Sequence, residues 1–239
     1  NNGFDPVTTG PGALGQVGPK TGDATKFKSF DQVFEAFRQQ IAWAIQKAAH
    51  IKSLAEYANN SFLKRPLASC FFHRSLDAER DIMDVPEKSL PWFNTPGIVD
   101  CVDSLISLKK LVFDDKKYTI GEVITALRAD WDGYEEMRQD FINAPKFGND
   151  DDYADEVAVR TYAMVAEEGS KVKDIYGQSP MPSGLVITSM YQLAPLTGAL
   201  PNGRKLGDPL VDGGCSPHAG YDRNGPIAAV LSASKISTK

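Results

Sequence analysis

The residues best suited to do chemistry lie in the segment Pro201–Pro226, PNGRKLGDPLVDGGCSPHAGYDRNGP, between two apolar stretches. It differs from a linker, because linkers repeat small polar residues, whereas here single Gly, Asp and Arg residues punctuate the path. The pattern predicts a buried functional loop. The planar guanidinium of Arg204 is able to bind a carboxylate or to brace the segment against Asp208, Asp212 or Asp222, and we favour bracing.

Three cysteines are far apart in the chain, so neither a disulfide framework nor a Cys-x-x-Cys metal site is indicated. Cys70 and Cys101 are predicted to be small buried core residues. Cys215 lies in the glycine-rich segment, where a partly exposed thiol is also compatible with the sequence.

Histidine-based catalysis has little support, because no histidine occurs in a recognised nucleophile or metal motif. His50 and His73 are expected to be surface or hydrogen-bonded residues. His218 has the strongest claim to a role, since it belongs to the segment 201–226.

The acidic run Asp150–Asp152 follows Asn149. Clustered carboxylates bind hard cations, but this run lacks the alternating spacing and central glycine of a calcium loop. We therefore expect a helix start with a solvated face and no metal site, and a metal-binding protein remains the weaker alternative.

Composition bounds the class of protein. The chain has 239 residues, 42% hydrophobic and 24% charged, with a net charge of -5. These values are typical of a soluble globular protein with a sizeable core. Nucleic-acid binding needs clustered Lys and Arg, so no nucleic-acid partner is expected. No apolar run is long enough to span a bilayer and no signal peptide is visible, which predicts a cytoplasmic protein without a membrane partner.

Helices account for most of the periodic pattern. Capping boxes at Ser29 and Thr119 predict helices that run to about residue 58 and to Asp130. Apolar spacing predicts a strongly buried helix from Gly97 to Phe113 and another helix from Tyr134 to Ile142. A long helix is expected over residues 150–176.

Short apolar runs complete the expected fold. Leu67–Phe72 is read as a buried strand that leads into a helix over 75–82, and Ser183–Leu193 is read as a strand. The sum is a helix-rich α/β fold with three or four short strands.

Several longer motifs follow one another along the chain. They are NNGFDP from Asn1, DSLISLKKLVF from Asp103, APKFGNDDDYAD from Ala144, and PNGR from Pro201 with later Gly, Asp and Pro residues of that segment. Together they resemble the glycyl radical enzymes of the pyruvate formate-lyase type. The resemblance extends over nearly the whole chain, 1–239, which would be part of the family's large ten-stranded α/β barrel.

The resemblance implies a chemistry that this chain does not contain by itself. In the family, one loop carries a cysteine that becomes a thiyl radical and another carries a glycine that stores the radical. A separate S-adenosylmethionine-dependent activase would install the radical, no cofactor would be bound by the chain, and a homodimer or small accessory subunits are possible partners. The substrate would be a small molecule handled in anaerobic metabolism, inside a barrel that shields the radical.

Neither radical motif occurs here, since the chain contains no Gly-Cys-x-Glu and no Arg-Val-x-Gly-Tyr sequence. The chain also opens without an initiator methionine and stops directly after an apolar segment. We therefore expect an internal fragment, between the cysteine loop and the radical loop, that shows no turnover alone.

The reaction subclass is predicted from fewer residues. The phrases DWDGYEEMR from Asp130 and GALPNGR from Gly198 are closest to the fumarate-adding alkyl- or arylalkylsuccinate synthases. Trp92 and Phe93 would suit an apolar substrate pocket, and Asn94 would complete it. Because a neutral amide is no proton acceptor, Asn94 argues against an arylacetate decarboxylase. A pyruvate formate-lyase-like C-acetyltransferase, a diol dehydratase, an arylacetate decarboxylase and a non-catalytic scaffold or binding module remain alternatives.

Overall fold

The computed structural model describes residues 15–84, 92–95, 97–179, 181–183, 189–212 and 214–236. The chain divides into two compact units. The first comprises Asn1–Gln40, Asn94–Val165 and Ser183–Lys239, and the second comprises Ile41–Phe93 and Ala166–Pro182.

The described residues form nine α-helices and two short strands. The elements in chain order are α1 (Phe30–Phe62), α2 (Pro66–Ser69), α3 (His73–Asp77), β1 (Trp92–Asn94), α4 (Ile98–Leu108), α5 (Ile120–Arg128), α6 (Glu135–Asn143), α7 (Asp152–Ser170), β2 (Met181–Ser183), α8 (Ser189–Leu193) and α9 (Gly225–Ser234). The strands β1 and β2 pair in a two-stranded sheet. The helix-rich α/β class predicted from the sequence is confirmed.

The helix starts follow the capping signals. At Thr119 both halves of the capping box are present: the Thr119 side chain accepts from the Glu122 amide, and the Glu122 carboxylate accepts from the Thr119 amide at 2.8 Å. At Ser29 the Gln32 amide donates to Oγ over 3.4 Å, and the Gln32 side chain accepts from Lys28 instead of from Ser29. The two helix starts therefore differ in how well they are capped.

Replacing Thr119 with alanine is expected to lower the free energy of unfolding by about 1 kcal/mol, because an orphan amide of α5 loses its partner. Ser29→Ala is the matched control and should cost less, since its hydrogen bond is longer. Urea unfolding followed by circular dichroism measures both. Equal losses for the two variants would contradict this ranking.

The core of the first unit lies around α4, α5 and α6. In α4, Val99, Val102 and Ile106 are fully buried. A π-helical turn, Lys109–Asp114, continues this helix. Trp131 and Phe141 are also fully buried, with ring centroids 5.3 Å apart. The long apolar period from Gly97 to Phe113 thus predicted the central helix correctly.

The second unit is held by a smaller set of contacts. Ile45 and Ala49 are its buried apolar residues on α1. The Asn60 amide donates to the Tyr176 hydroxyl, and that hydroxyl donates to Asp84 over 3.3 Å. Among the described residues of this unit, ten large apolar side chains are exposed, namely Ile51, Leu54, Tyr57, Phe62, Leu63, Leu67, Phe71, Phe72, Leu76 and Ile175.

Two strand predictions are wrong in part. Leu67–Phe72 forms no strand: Pro66 opens the short helix α2, because its fixed φ suits a first helical turn, and Leu67 and Phe71 are exposed. Of the described residues in the predicted strand 183–193, Ser183 belongs to a strand and residues 189–193 are helical. Residues 184–188 lie outside the described part of the chain.

Two further details differ from the sequence-based expectations. Helix α7 ends at Ser170, before the expected Tyr176, and the described residues contain two strands instead of three or four. Among the same residues, no helix combines the length and apolarity that crossing a membrane requires.

Candidate functional site: a buried polar cluster under the segment 201–226

The buried end of the site is Asp100, on the first turn of α4. This side chain is 1% exposed. Its carboxylate accepts from the Asn202 side chain at 2.9 Å and from the Val211 amide at 2.7 Å. Burial raises the pKa of Asp100, and these two hydrogen bonds oppose the rise. Asp100 therefore ties two distant points of the segment 201–226 to the central helix.

Arg204 is a buried residue that binds the main chain on both sides of its own position. It is 2% exposed, and its guanidinium donates four hydrogen bonds to main-chain carbonyl oxygens. Nε binds the Asp208 carbonyl at 2.8 Å, and the two terminal nitrogens bind the carbonyls of Thr197, Gly198 and Ala194 at 2.8–2.9 Å. All of these oxygens lie within ten residues of Arg204, so the guanidinium shapes its own stretch of chain.

The prediction that Arg204 binds the nearby aspartate carboxylates is wrong. The four hydrogen bonds go to carbonyls and none goes to a carboxylate of Asp208, Asp212 or Asp222 in the described part of the chain. The Asp208 carboxylate instead accepts from the Lys205 amide at 2.9 Å. Asp222 is exposed and Asp212 is half-buried. The physical reason is local: a tight turn leaves buried carbonyls unpaired, and one fork of donors satisfies several at once.

His218 and Tyr221 form the other side of the cluster. Their rings stack with centroids 4.4 Å apart, and His218 Nε2 lies 3.9 Å from Asp100 Oδ1. The Tyr221 hydroxyl donates to the Asn202 carbonyl at 3.1 Å. His218 thus packs beside Asp100 as part of the segment's own architecture.

Lys146 and Asp103 occupy the interior between α4 and the turn before α7. Lys146 is 4% exposed, and its ammonium donates to Ser107 Oγ and to the carbonyls of Phe141 and Ala144 at 2.6–3.1 Å. Burial lowers the pKa of Lys146 to about 8. Asp103 accepts from the Phe147 amide at 2.9 Å, and burial raises its pKa to about 7.

Asn149 connects this turn to the end of the segment. Its side chain donates to the Tyr221 carbonyl at 2.8 Å and accepts from the amides of Arg223 and Asn224. The Asn224 side chain donates to the Asn149 carbonyl at 2.9 Å. One side chain therefore holds the chain in place just before α9.

Cys101 and Cys70 lie in different surroundings, and Cys215 in the segment 201–226 is half-buried. Burial and the neighbouring Asp100 raise the pKa of Cys101 to about 12, which keeps it a thiol. Cys70 is exposed, so the prediction of a buried core residue is wrong there. The Cys70 side chain lies beside the short helix α2, where no described apolar layer covers it.

The acidic residues at the start of α7 form ion pairs with a lysine. Lys235, just after α9, places its ammonium 2.8 Å from Asp150, 2.9 Å from Asp152 and 2.7 Å from Asp155. The Asp151 carbonyl and carboxylate accept from the first amides of α7, as a helix start requires. The run therefore caps α7 and anchors the residue that follows α9.

The predicted pocket residues Trp92, Phe93 and Asn94 form β1, and their side chains lie outside the described part of the structure. Their assignment as a substrate pocket stays a prediction. His50 and His73 are both exposed.

The sequence-based prediction missed Asp100, Asp103 and Ser107. They share one stripe of α4, at positions i, i+3 and i+7 of an otherwise apolar helix. Charged residues are rarely fully buried unless they are paired. The two aspartates within the strongest apolar pattern of the chain were therefore the available signal.

Taken together, the side chains of this cluster make hydrogen bonds to one another and to the backbone. The sequence model of the pyruvate formate lyase-like family matches residues 1–194. The chain belongs to this family of glycyl radical enzymes, as its motifs predicted.

Known proteins agree with this assignment. The chain is 33% identical over 223 residues to the isethionate sulfite-lyase of Bilophila wadsworthia, covering 91% of the chain and 26% of that protein. It superposes on the glycerol-bound B12-independent glycerol dehydratase of Clostridium butyricum with a TM-score of 0.86 at 32% identity, over 98% of the chain and 29% of that structure. A glycyl radical enzyme from Archaeoglobus fulgidus gives a TM-score of 0.85 at 28% identity, over 99% and 29%. The chain thus spans between a quarter and a third of the length of these relatives.

Proposed function

We propose that this chain is part of a glycyl radical enzyme that eliminates a heteroatom group from a small polar substrate, as a dehydratase or a related lyase does. The observation that carries the proposal is the similarity to a sulfite-lyase and to a glycerol dehydratase over more than 90% of the chain. Both names describe cleavage of a bond between carbon and a heteroatom. The fumarate-adding subclass, predicted from two short phrases, gains no support from these relatives.

The role of the chain in that enzyme is to build scaffold. No Gly-Cys-x-Glu or Arg-Val-x-Gly-Tyr motif occurs in its 239 residues. The buried cluster supports the same role, because the three N–H donors of the Lys146 ammonium and four donors of the Arg204 guanidinium are already engaged by neighbouring protein groups. The proposal includes a thiyl cysteine and a radical glycine outside these 239 residues, and a separate activase that oxidises the glycine.

The test uses the complete coding sequence that contains this chain, expressed without oxygen together with a radical S-adenosylmethionine activase. We expect the electron paramagnetic resonance signal of a glycyl radical, and then an aldehyde from glycerol or sulfite from isethionate. Toluene with fumarate is the comparison substrate pair and should give no succinate adduct. Adduct formation without any elimination product would overturn the elimination subclass.

The chain of 239 residues by itself is the negative control. With the same activase it should show neither a radical signal nor product. A glycyl radical signal in this chain would contradict the scaffold role directly, because that role places the radical residue elsewhere.

A further inference from the structure

The Asp103 carboxylate is incompletely satisfied inside the first unit. The residue is fully buried, and Oδ1 accepts from the Phe147 amide at 2.9 Å. Oδ2 is buried as well and has no hydrogen-bond partner. A buried ionised oxygen without a donor is costly, so either a proton sits on this carboxyl or a donor must move to it.

The cation that acts on Asp103 is Lys146, and all of its N–H donors are already in hydrogen bonds. The ammonium of Lys146 has three donors, and all three are used, on Ser107 Oγ and on the carbonyls of Phe141 and Ala144. Asp103 and Lys146, both within the described residues, share no direct hydrogen bond or ion pair. Yet each shifts the other's proton affinity, which shows that they lie within electrostatic range.

The other charged and titratable groups around the pair come from α4, α7 and the segment 201–226. Asp100 lies one turn earlier on α4 and opposes ionisation of Asp103. Tyr162 on α7 and Tyr221 in the segment 201–226 both sense the Asp103 charge. Arg223 repels the Lys146 ammonium. Lys146 is the cation whose charge favours ionised Asp103, so it is the donor that we assign to the missing hydrogen bond.

We propose that Asp103 and Lys146 form a proton-controlled latch. When Asp103 carries a proton, Lys146 stays on the two carbonyls, as in the structure. When Asp103 loses that proton, Lys146 leaves a carbonyl and donates to Oδ2. Because Asn149 lies three residues after Lys146 and holds residues 221–224, the movement loosens the end of the segment 201–226.

The test is hydrogen exchange of the 239-residue chain across pH 6–8, corrected for the intrinsic pH dependence of exchange. We expect protection of residues 144–150 and 221–224 to fall by up to about tenfold as pH rises, because opening is coupled to the loss of one proton. Asp103→Asn keeps the shape and removes the carboxyl titration, so its protection should change with pH much less than that of the unsubstituted chain, the remainder coming from Lys146, whose pKa is about 8. Asp115→Asn, at an exposed carboxylate, is the matched control and should behave as the unsubstituted chain does.

The raised pKa of Asp103 also predicts the direction in which folding stability changes with pH. A carboxyl whose pKa is raised in the folded state stabilises that state at low pH. Between about pH 5 and pH 7 the folding equilibrium constant of the unsubstituted chain, relative to Asp103→Asn, should therefore fall about tenfold per pH unit and then level off. If Asp103→Asn fails to fold, carbon NMR of the Asp103 carboxyl in the unsubstituted chain replaces it. A carboxyl that titrates near pH 4, or exchange that is equal at pH 6 and pH 8, would overturn the latch.

Discussion

Replacing Arg204 with methionine is expected to lower the free energy of unfolding by roughly 3–5 kcal/mol. The guanidinium makes four hydrogen bonds in a site that is 2% exposed. Without it, the carbonyls of Thr197, Gly198 and Asp208 lose the donor that the structure gives them. The Ala194 carbonyl keeps a partner, because the Gly207 amide also donates to it. Urea unfolding followed by circular dichroism measures the loss.

Two further variants separate geometry from charge. Arg204→Lys keeps the positive charge but not the planar fork, so it should recover only part of the loss. Arg128→Met removes an exposed arginine from α5 and should change stability by about 0.5 kcal/mol or less. A cost for Arg204→Met as small as that of Arg128→Met would show that the carbonyls find other donors.

The second large effect is expected at Gly203. Its φ is +96°, and an added Cβ would lie 2.4 Å from Ile142 Cγ1. The backbone is held on both sides, since the Gly203 amide donates to Leu200 and the Gly203 carbonyl accepts from Arg138. Gly203→Ala combines left-handed strain with a steric clash and should cost about 3 kcal/mol or more.

Gly207 provides the matched control for that measurement. Its φ is +86°, yet an added Cβ would meet no atom within 4 Å. Gly207→Ala should therefore show the conformational strain alone, about 1–2 kcal/mol. Adding Ile142→Ala to Gly203→Ala should return part of the extra cost, measured as a favourable coupling in a double-mutant cycle. Equal costs for the two glycine variants would exclude the clash with Ile142.

Long periodic patterns made the helices predictable. The helix over Gly97–Phe113 and the capping box at Thr119 are both present, because apolar spacing and capping are local properties of the sequence. Strands were predicted over Leu67–Phe72 and Ser183–Leu193, but residues 67–69 and 189–193 lie in the short helices α2 and α8. Their apolar runs are short, and over so few residues the choice between helix and strand depends on tertiary surroundings.

The site was predictable to the extent that its residues lie in one segment. The glycine-rich stretch pointed to Arg204, and the structure shows this residue buried near the start of the segment, with four hydrogen bonds to carbonyls of residues 194–208. Its partners were predicted as carboxylates, but carbonyl oxygens leave no trace in a residue pattern. Asp103 and Lys146 are separated by 43 positions in sequence, and only the fold brings them into electrostatic range.

The contacts of Asp100 also constrain the order in which the chain acquires its structure. Its hydrogen-bond partners lie 102 and 111 positions further along the sequence. During synthesis α4 leaves the ribosome well before Asn202 and Val211 are made. Until then the Asp100 carboxylate stays hydrated on the apolar surface of the helix. Bringing residues so far apart in sequence together costs conformational entropy, and the hydrogen bonds that offset this cost form only afterwards. We therefore expect consolidation of α4 to be a late event in folding, set by the arrival of the segment 201–226.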